Sequence, residues 1–277
     1  MPENIEKATV MQNPTHSTRL YPPKPTDVYL FATCLVDQFA PEAGLDTVRL
    51  LERENIRVHF LEQQTCCGQP AYSSGYPDEA RAVALQQLKL FTQPWPVVVP
   101  SGSCGGMIHH HYPALFADDP ALHALAIDLA ERTYELSEFL VQVVNFSQPD
   151  LGEACTVALH TSCHARRQMG SHDTSSALLD SLEHVNVVTQ ARIEECCGFG
   201  GTFAIRYPDI SEAIVTDKVA ALKDTGCERV VSADCGCLFN ITGRAAKQDE
   251  VANRTTPSLP GEHLASFLWR RTTEAES

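Results

Sequence analysis

The segment Glu194-Glu195-Cys196-Cys197-Gly198-Phe199-Gly200-Gly201 sets two adjacent thiols before a glycine run, and Thr65-Cys66-Cys67-Gly68-Gln69-Pro70 repeats the arrangement. Each pair has a lone cysteine upstream, Cys34 and Cys163, and at least one downstream, Cys104 and Cys235 or Cys237. Eight or nine of the eleven cysteines therefore fall into two matching sets. Structural zinc favours a short Cys-x-x-Cys knuckle, because that loop closes over one ion. Adjacent cysteines diverge and serve a single ion poorly, but they can reach two irons of one cluster. No histidine recurs with the thiols, which favours iron–sulfur ligation. A zinc-stabilised assembly module and a thiol–disulfide enzyme stay open as alternatives.

The remainder of the composition agrees with metal chemistry. A chain of 277 residues buries a core without covalent staples. An odd number of cysteines, vicinal pairs and no apolar leader argue against a disulfide framework. A reducing, cytoplasmic setting is expected. Residues 1–25 are polar and proline-rich, and read as a flexible lead-in. The net charge of −14 disfavours nucleic acid. No apolar run is long enough for a membrane span.

Strands and helices must then converge the thiols. Strands are expected at 28–33, 58–61 and 96–100, each followed by one of the cysteine positions Cys34, Cys66-Cys67 and Cys104. Helices fill 41–54, 77–91, 118–131 and 137–144 between or after them. The pattern restarts after a linker at 147–152. Strands at 156–160, 185–189 and 229–231 precede Cys163, Cys196-Cys197 and Cys235/Cys237, with helices near 174–183, 208–223 and 261–269. The tripeptide Tyr-Pro-Asp opens a helix in both halves, at 76–78 and 207–209. This is an internal duplication. We expect an α/β fold of two pseudo-symmetric βαβ-type halves, 26–150 and 151–269, with mainly parallel sheets and a flexible tail at 270–277. In such sheets the carboxyl ends of the strands share one edge, where ligands bind, so six separate loops become two thiol clusters.

The spacing Cys-x31-Cys-Cys-x36-Cys in the first half and Cys-x32-Cys-Cys-x39-Cys in the second resembles the cysteine-rich CCG domain. That domain occurs in the catalytic subunit of heterodisulfide reductase, in glycolate oxidase iron–sulfur subunits and in lactate utilisation proteins. Cys66-Cys-Gly-Gln-Pro-Ala71, Cys196-Cys-Gly-Phe-Gly-Gly-Thr-Phe203 and Cys237-Leu-Phe-Asn-Ile-Thr-Gly243 are similar to the lactate utilisation protein A type. The resemblance covers roughly residues 27–268. It implies an iron–sulfur subunit of a complex that oxidises L-lactate to pyruvate, with a ferredoxin-type subunit and a third small subunit as partners. Glycolate is the alternative 2-hydroxy acid. The implied ligands are Cys34, Cys66, Cys67 and Cys104, then Cys163, Cys196, Cys197 and Cys237. The heterodisulfide reductase relative holds a non-cubane cluster with five cysteines, the fifth from a terminal Cys-x-x-Cys. Ser101 and Asp234 stand in that place here. Four thiolates suit a [4Fe–4S] cluster, one or two per chain, with Cys235 as an extra candidate ligand. No catalytic residue is assigned.

Other chemistry-bearing residues have plainer readings. Cys155 and Cys227 are expected to be buried and inert. His160 and His164 bracket Cys163; loop hydrogen bonds are expected, a proton relay being the alternative. His109-His110-His111 cannot all face one ion from a helix, so structural or solvent-facing roles are expected. Arg166 and Arg167 suit steadying a reduced, negative cluster or a surface role better than gripping a substrate carboxylate. Gly198-Phe-Gly-Gly201 lacks the full dinucleotide-binding spacing.

Overall fold

The computed structural model describes residues 19–274. The chain folds into two four-stranded sheets, both wholly parallel. In the first, β1 (Asp27–Leu30), β2 (Arg57–Phe60), β3 (Val97–Val99) and β4 (Thr133–Glu135) lie in the order β2-β1-β3-β4. In the second, β5 (Cys155–Leu159), β6 (Val185–Val188), β7 (Arg229–Ser232) and β8 (Gly261–His263) lie in the order β6-β5-β7-β8. The matching orders bear out the duplicated, parallel α/β fold.

Each half has one strand more than its sequence suggests. Thr-Tyr-Glu and Gly-Glu-His are three-residue strands, too short and too polar to show an alternating pattern. The expected helix at 261–269 is accordingly divided: residues 261–263 form β8, and the helix runs Leu264–Arg271. Central strands buried on both faces read as continuous apolar runs, which is why Val97-Val-Val99 was legible.

The halves share a core. Val28, Leu50 and Leu51 of the first half pack in one cluster with Val157, Leu159 and Phe267 of the second. Helix Leu264–Arg271, from the second half, lies against helix Pro41–Arg53 of the first. Reciprocally, helix Leu136–Phe139 of the first lies against Ser171–Asp180 of the second. This exchange holds the two carboxyl edges face to face. Arg271 closes it: its guanidinium, 2% exposed, meets the fully buried Asp150 carboxylate at 2.6 Å. The expected tail at 270–277 therefore begins later, because Arg271 is anchored and Thr272 is buried; 275–277 lie outside the described residues. Of the expected lead-in at 1–25, residues 1–18 lie outside the described residues, while Arg19 is held by Glu138 at 2.8 Å.

Candidate metal centre

All eight repeated cysteines line one cavity of about 300 Å³ between the halves, and Cys235 lines it too. The lone upstream cysteines do not end strands. Thr33, forced to φ 69°, turns the chain after β1 and caps a helix that begins at Cys34, its hydroxyl accepting from the Val36 amide. Cys163 likewise opens a helical turn after β5. Cys104 sits in helix Gly102–Gly106, and Cys237 in the first turn of the long helix Cys235–Val251, at its partially positive end. The adjacent pairs sit in loops that end in a left-handed glycine, Gly68 at φ 88° and Gly198 at φ 83°. Those glycines also pass close to the next helix: a Cβ on Gly198 would lie 2.8 Å from the Ser211 carbonyl oxygen. Their amides donate back to the first thiol of each pair, Gly68 to Cys66 Sγ at 3.4 Å and Gly198 to Cys196 Sγ at 3.3 Å.

Within each set the sulfurs touch in series. Cys67 and Cys104 are 3.3 Å apart, Cys197 and Cys237 3.0 Å. Cys34 and Cys67 donate to Cys66, holding its thiol well below the ordinary range, and Cys163 and Cys197 do the same to Cys196. The donors are pushed up in turn: Cys34 by its bond to Cys66, and Cys163 by its bond to Cys196, with burial adding to both. Four sulfurs this close, sharing protons, form a donor set for a thiolate-bound metal group, and the loop amides suit anionic sulfur.

The carbonyl after each pair is pinned. Tyr112 Oη donates to the Cys67 carbonyl at 2.9 Å, and Asn240 Nδ2 to the Cys197 carbonyl at 2.8 Å. Sequence reasoning missed Tyr112, which carries no signal of its role. Ser101 and Asp234 meet each other across the halves: Ser101 Oγ donates to Asp234 Oδ1 at 2.9 Å, as does the Ser103 amide. Asp234 Oδ2 is buried without a partner. Cys235, pushed up to about 12 by burial and by Asp234, packs on Val36 and Ala43 of the first half.

His160 departs from expectation, whereas His109, His110 and His111 follow it. His160 is 1% exposed, and neither ring nitrogen has a partner. It makes no loop hydrogen bond, because its ring turns inward to lie with the Cys197 and Cys237 sulfurs, all within 4.8 Å of one another. Burial pushes its pKa down to about 4. His164 Nδ1 is 3.5 Å from Gln69 Nε2 across the halves. His109, His110 and His111 take separate structural partners, the first two donating to the carbonyls of Ala130 and Gln168. His111 accepts from Gln168 Nε2 at 2.8 Å. Cys227 is buried as expected, whereas Cys155 is only half-buried at the start of β5. Lys218 was missed. It interrupts the buried stripe Ser211, Val215, Val219, Leu222 of helix Pro208–Lys223, a signal that was available.

The matched sheets and thiol sets define a duplicated cysteine-rich α/β protein. The sequence pattern of the cysteine-rich domain CCG matches residues 28–109 and 157–242. Lactate utilization protein A of Shouchella clausii is 44% identical over 244 residues, 87% of this chain and 98% of its own length. The protein of that name from Bacillus pumilus is 41% identical over 241 residues, again 87% and 98%. That from Geobacillus kaustophilus is 43% identical over 220 residues, 79% and 92%. The chain belongs to the cysteine-rich CCG domain family, in the group of lactate utilization protein A. A solved structure, of a hypothetical protein from Helicobacter pylori, shares the fold at TM-score 0.65 and 11% identity; it matches 96% of this chain, which spans 52% of that protein. No described helix is long and apolar enough to cross a membrane.

Proposed function

We propose that the chain is an iron–sulfur subunit of a complex that oxidises L-lactate to pyruvate without NAD, working in the cytoplasm with a ferredoxin-type subunit and a third small subunit. The observation that carries this reading is the placement of two complete four-thiol sets on one cavity wall, in a chain so similar to proteins named for lactate utilisation. The halves 26–150 and 151–269 act as two cluster-holding domains. Cys34, Cys66, Cys67 and Cys104 hold one [4Fe–4S] cluster, and Cys163, Cys196, Cys197 and Cys237 the other. Bound there, the clusters supply one-electron transfer. The protein's own groups do the rest. Gly68 and Gly198 amides support the first sulfur of each pair, Tyr112 and Asn240 fix the loops, and the shared core joins the two halves.

The five-thiolate, non-cubane alternative loses one oxygen donor here. The Ser101 hydroxyl is engaged with Asp234. Cys235 is the candidate fifth ligand, and its packing on Val36 sets it on the side of the first set. Zinc fits less well, since adjacent cysteines in both sets would have to converge on one ion.

The test is anaerobic co-purification with the two partner subunits, followed by lactate-dependent reduction of an artificial acceptor. Turnover with lactate and not with glycolate supports the reading. Disulfide reduction that persists without lactate would replace it with the thiol–disulfide alternative.

A further inference from the structure

The two thiol sets match residue for residue, but their surroundings do not. Pairing Cys34 with Cys163 sets Phe31 against His160, Leu35 against His164, Asp37 against Arg166 and Gln38 against Arg167. Pairing the Tyr-Pro-Asp repeats sets Gln87 against Lys218. At five equivalent positions the second half thus carries a basic or imidazole side chain, and the first carries a neutral or acidic one.

Two of these residues are fully inside the protein. Lys218 is 0% exposed, its Nζ donating to the Arg192 carbonyl at 3.4 Å. Burial lowers its pKa, while Glu195 and the sulfurs of Cys197, Cys163 and Cys196 oppose that; the carbonyl it holds lies four residues before Cys196. Gln87, equally buried, gives its amide to the Thr65 hydroxyl at 2.8 Å. His160, with both ring nitrogens unpartnered, brings one of them within 4.8 Å of the Cys197 and Cys237 sulfurs, where Phe31 offers the first set none. Arg167 also lowers the Cys163 thiol, but it is exposed and so screened by water.

The acidic groups near the second set are Glu194, Glu195 and Asp234. Glu194 is exposed, and Glu195 pairs with Arg192 at 3.3 Å with its side chain 40% exposed. Water and salt screen such charges, whereas a buried charge acts through a low dielectric. The buried acid between the sites, Asp234, gives Oδ1 to Ser101 and Ser103 of the first half, while its charge pushes up Cys237 of the second set and opposes Lys218 there.

Reduction adds negative charge to a cluster. Nearby positive charge and hydrogen bonds to its sulfurs therefore raise its potential. We propose that Lys218 and His160 make the Cys163/Cys196/Cys197/Cys237 site the preferred electron acceptor. A first electron given to the chain then rests there rather than at the Cys34/Cys66/Cys67/Cys104 site. This inference rests on the reading of both sets as cluster sites.

The experiment uses two single-site variants, Cys66→Ala to leave the second site and Cys196→Ala to leave the first. Each is reconstituted anaerobically and assayed for iron, then titrated with dithionite at controlled potential while its EPR signal is followed. The Cys66→Ala protein is expected to reduce at the higher potential. Adding Lys218→Gln to it shifts the potential down at unchanged iron content, and adding Gln87→Lys to Cys196→Ala shifts that one up. In the wild-type chain, the first signal to appear on reduction matches that of Cys66→Ala. Equal or reversed potentials with both variants loaded overturn this inference and leave the cluster reading standing. A Lys218→Gln variant with unshifted potential overturns it as well. Absence of iron from both variants and from the wild-type chain would remove the cluster reading itself.

Discussion

The first and second halves present the same four thiols in the same serial contact, on the same edge of equivalent sheets. What lies behind those thiols differs: Phe31, Leu35 and Gln87 in one half, His160, His164 and Lys218 in the other. Duplication thus kept the thiol arrangement while the surrounding side chains diverged. The thiols are fixed by backbone turns and by a fold that cannot vary much. Their surroundings are single side chains, free to change without moving the thiols. The reciprocal packing of the closing helices has the same character, for the first half places Val143 where the second places Arg271.

The comparison can be broken most severely at the thiols. Cys66→Ala and Cys196→Ala should each remove about half of the bound iron, as two four-iron sites require, and metal analysis of each reconstituted variant checks this. Retention of full iron in both would mean that the sets are not independent sites. At Arg271, substitution by Leu leaves the Asp150 carboxylate buried without its guanidinium, held only by the Gly152 and His184 amides and the nearby His184 ring. A loss of about 3–5 kcal/mol is expected from denaturant unfolding. A near-neutral result would show that the buried pair does not hold the halves together.

The two loop glycines sharpen the comparison. Gly198→Ala forces a side chain into a left-handed position and against the Ser211 carbonyl, 2.8 Å from the new Cβ. Gly68→Ala is similarly strained, but its nearest carbonyl, that of Ala80, is 3.2 Å away. Both should cost about 1–3 kcal/mol, with Gly198→Ala the larger; the difference in urea midpoints measures it.

The helix caps after the fourth strands differ in a pH-dependent way. Glu135 caps in the first half and His263 in the second. Burial pushes Glu135 up to about 8. The folded protein then keeps a proton that the unfolded chain releases above its ordinary carboxylate range. Stability contributed by this group is present below that range and is lost as pH rises to about 8, with a slope of up to about 1.4 kcal/mol per pH unit. Glu135→Gln should flatten the stability curve between about pH 5 and 8. An unchanged slope would mean that Glu135 is ionised in the fold.

Much of the thiol arrangement could be read in the sequence, because cysteine type and spacing recur and each position follows a strand. The parallel α/β architecture followed from the same alternation. The third-dimension details were not legible. Ser101 and Asp234 are 133 residues apart, and their hydrogen bond depends on how two edges face each other. The inward turn of His160 is a rotamer choice inside a core, which no spacing encodes. The short strands β4 and β8 are set by pairing with β3 and β7 rather than by any period of their own. Lys218 was the exception, visible as a lysine on a buried helical stripe.

The central claim is that one chain holds two separate four-thiolate clusters. The most direct test is the number of iron and acid-labile sulfide atoms per chain after strictly anaerobic reconstitution. About eight of each are predicted, four per site. About four would leave one half as a scaffold without a cluster, and no iron with one or two zinc ions would contradict the account.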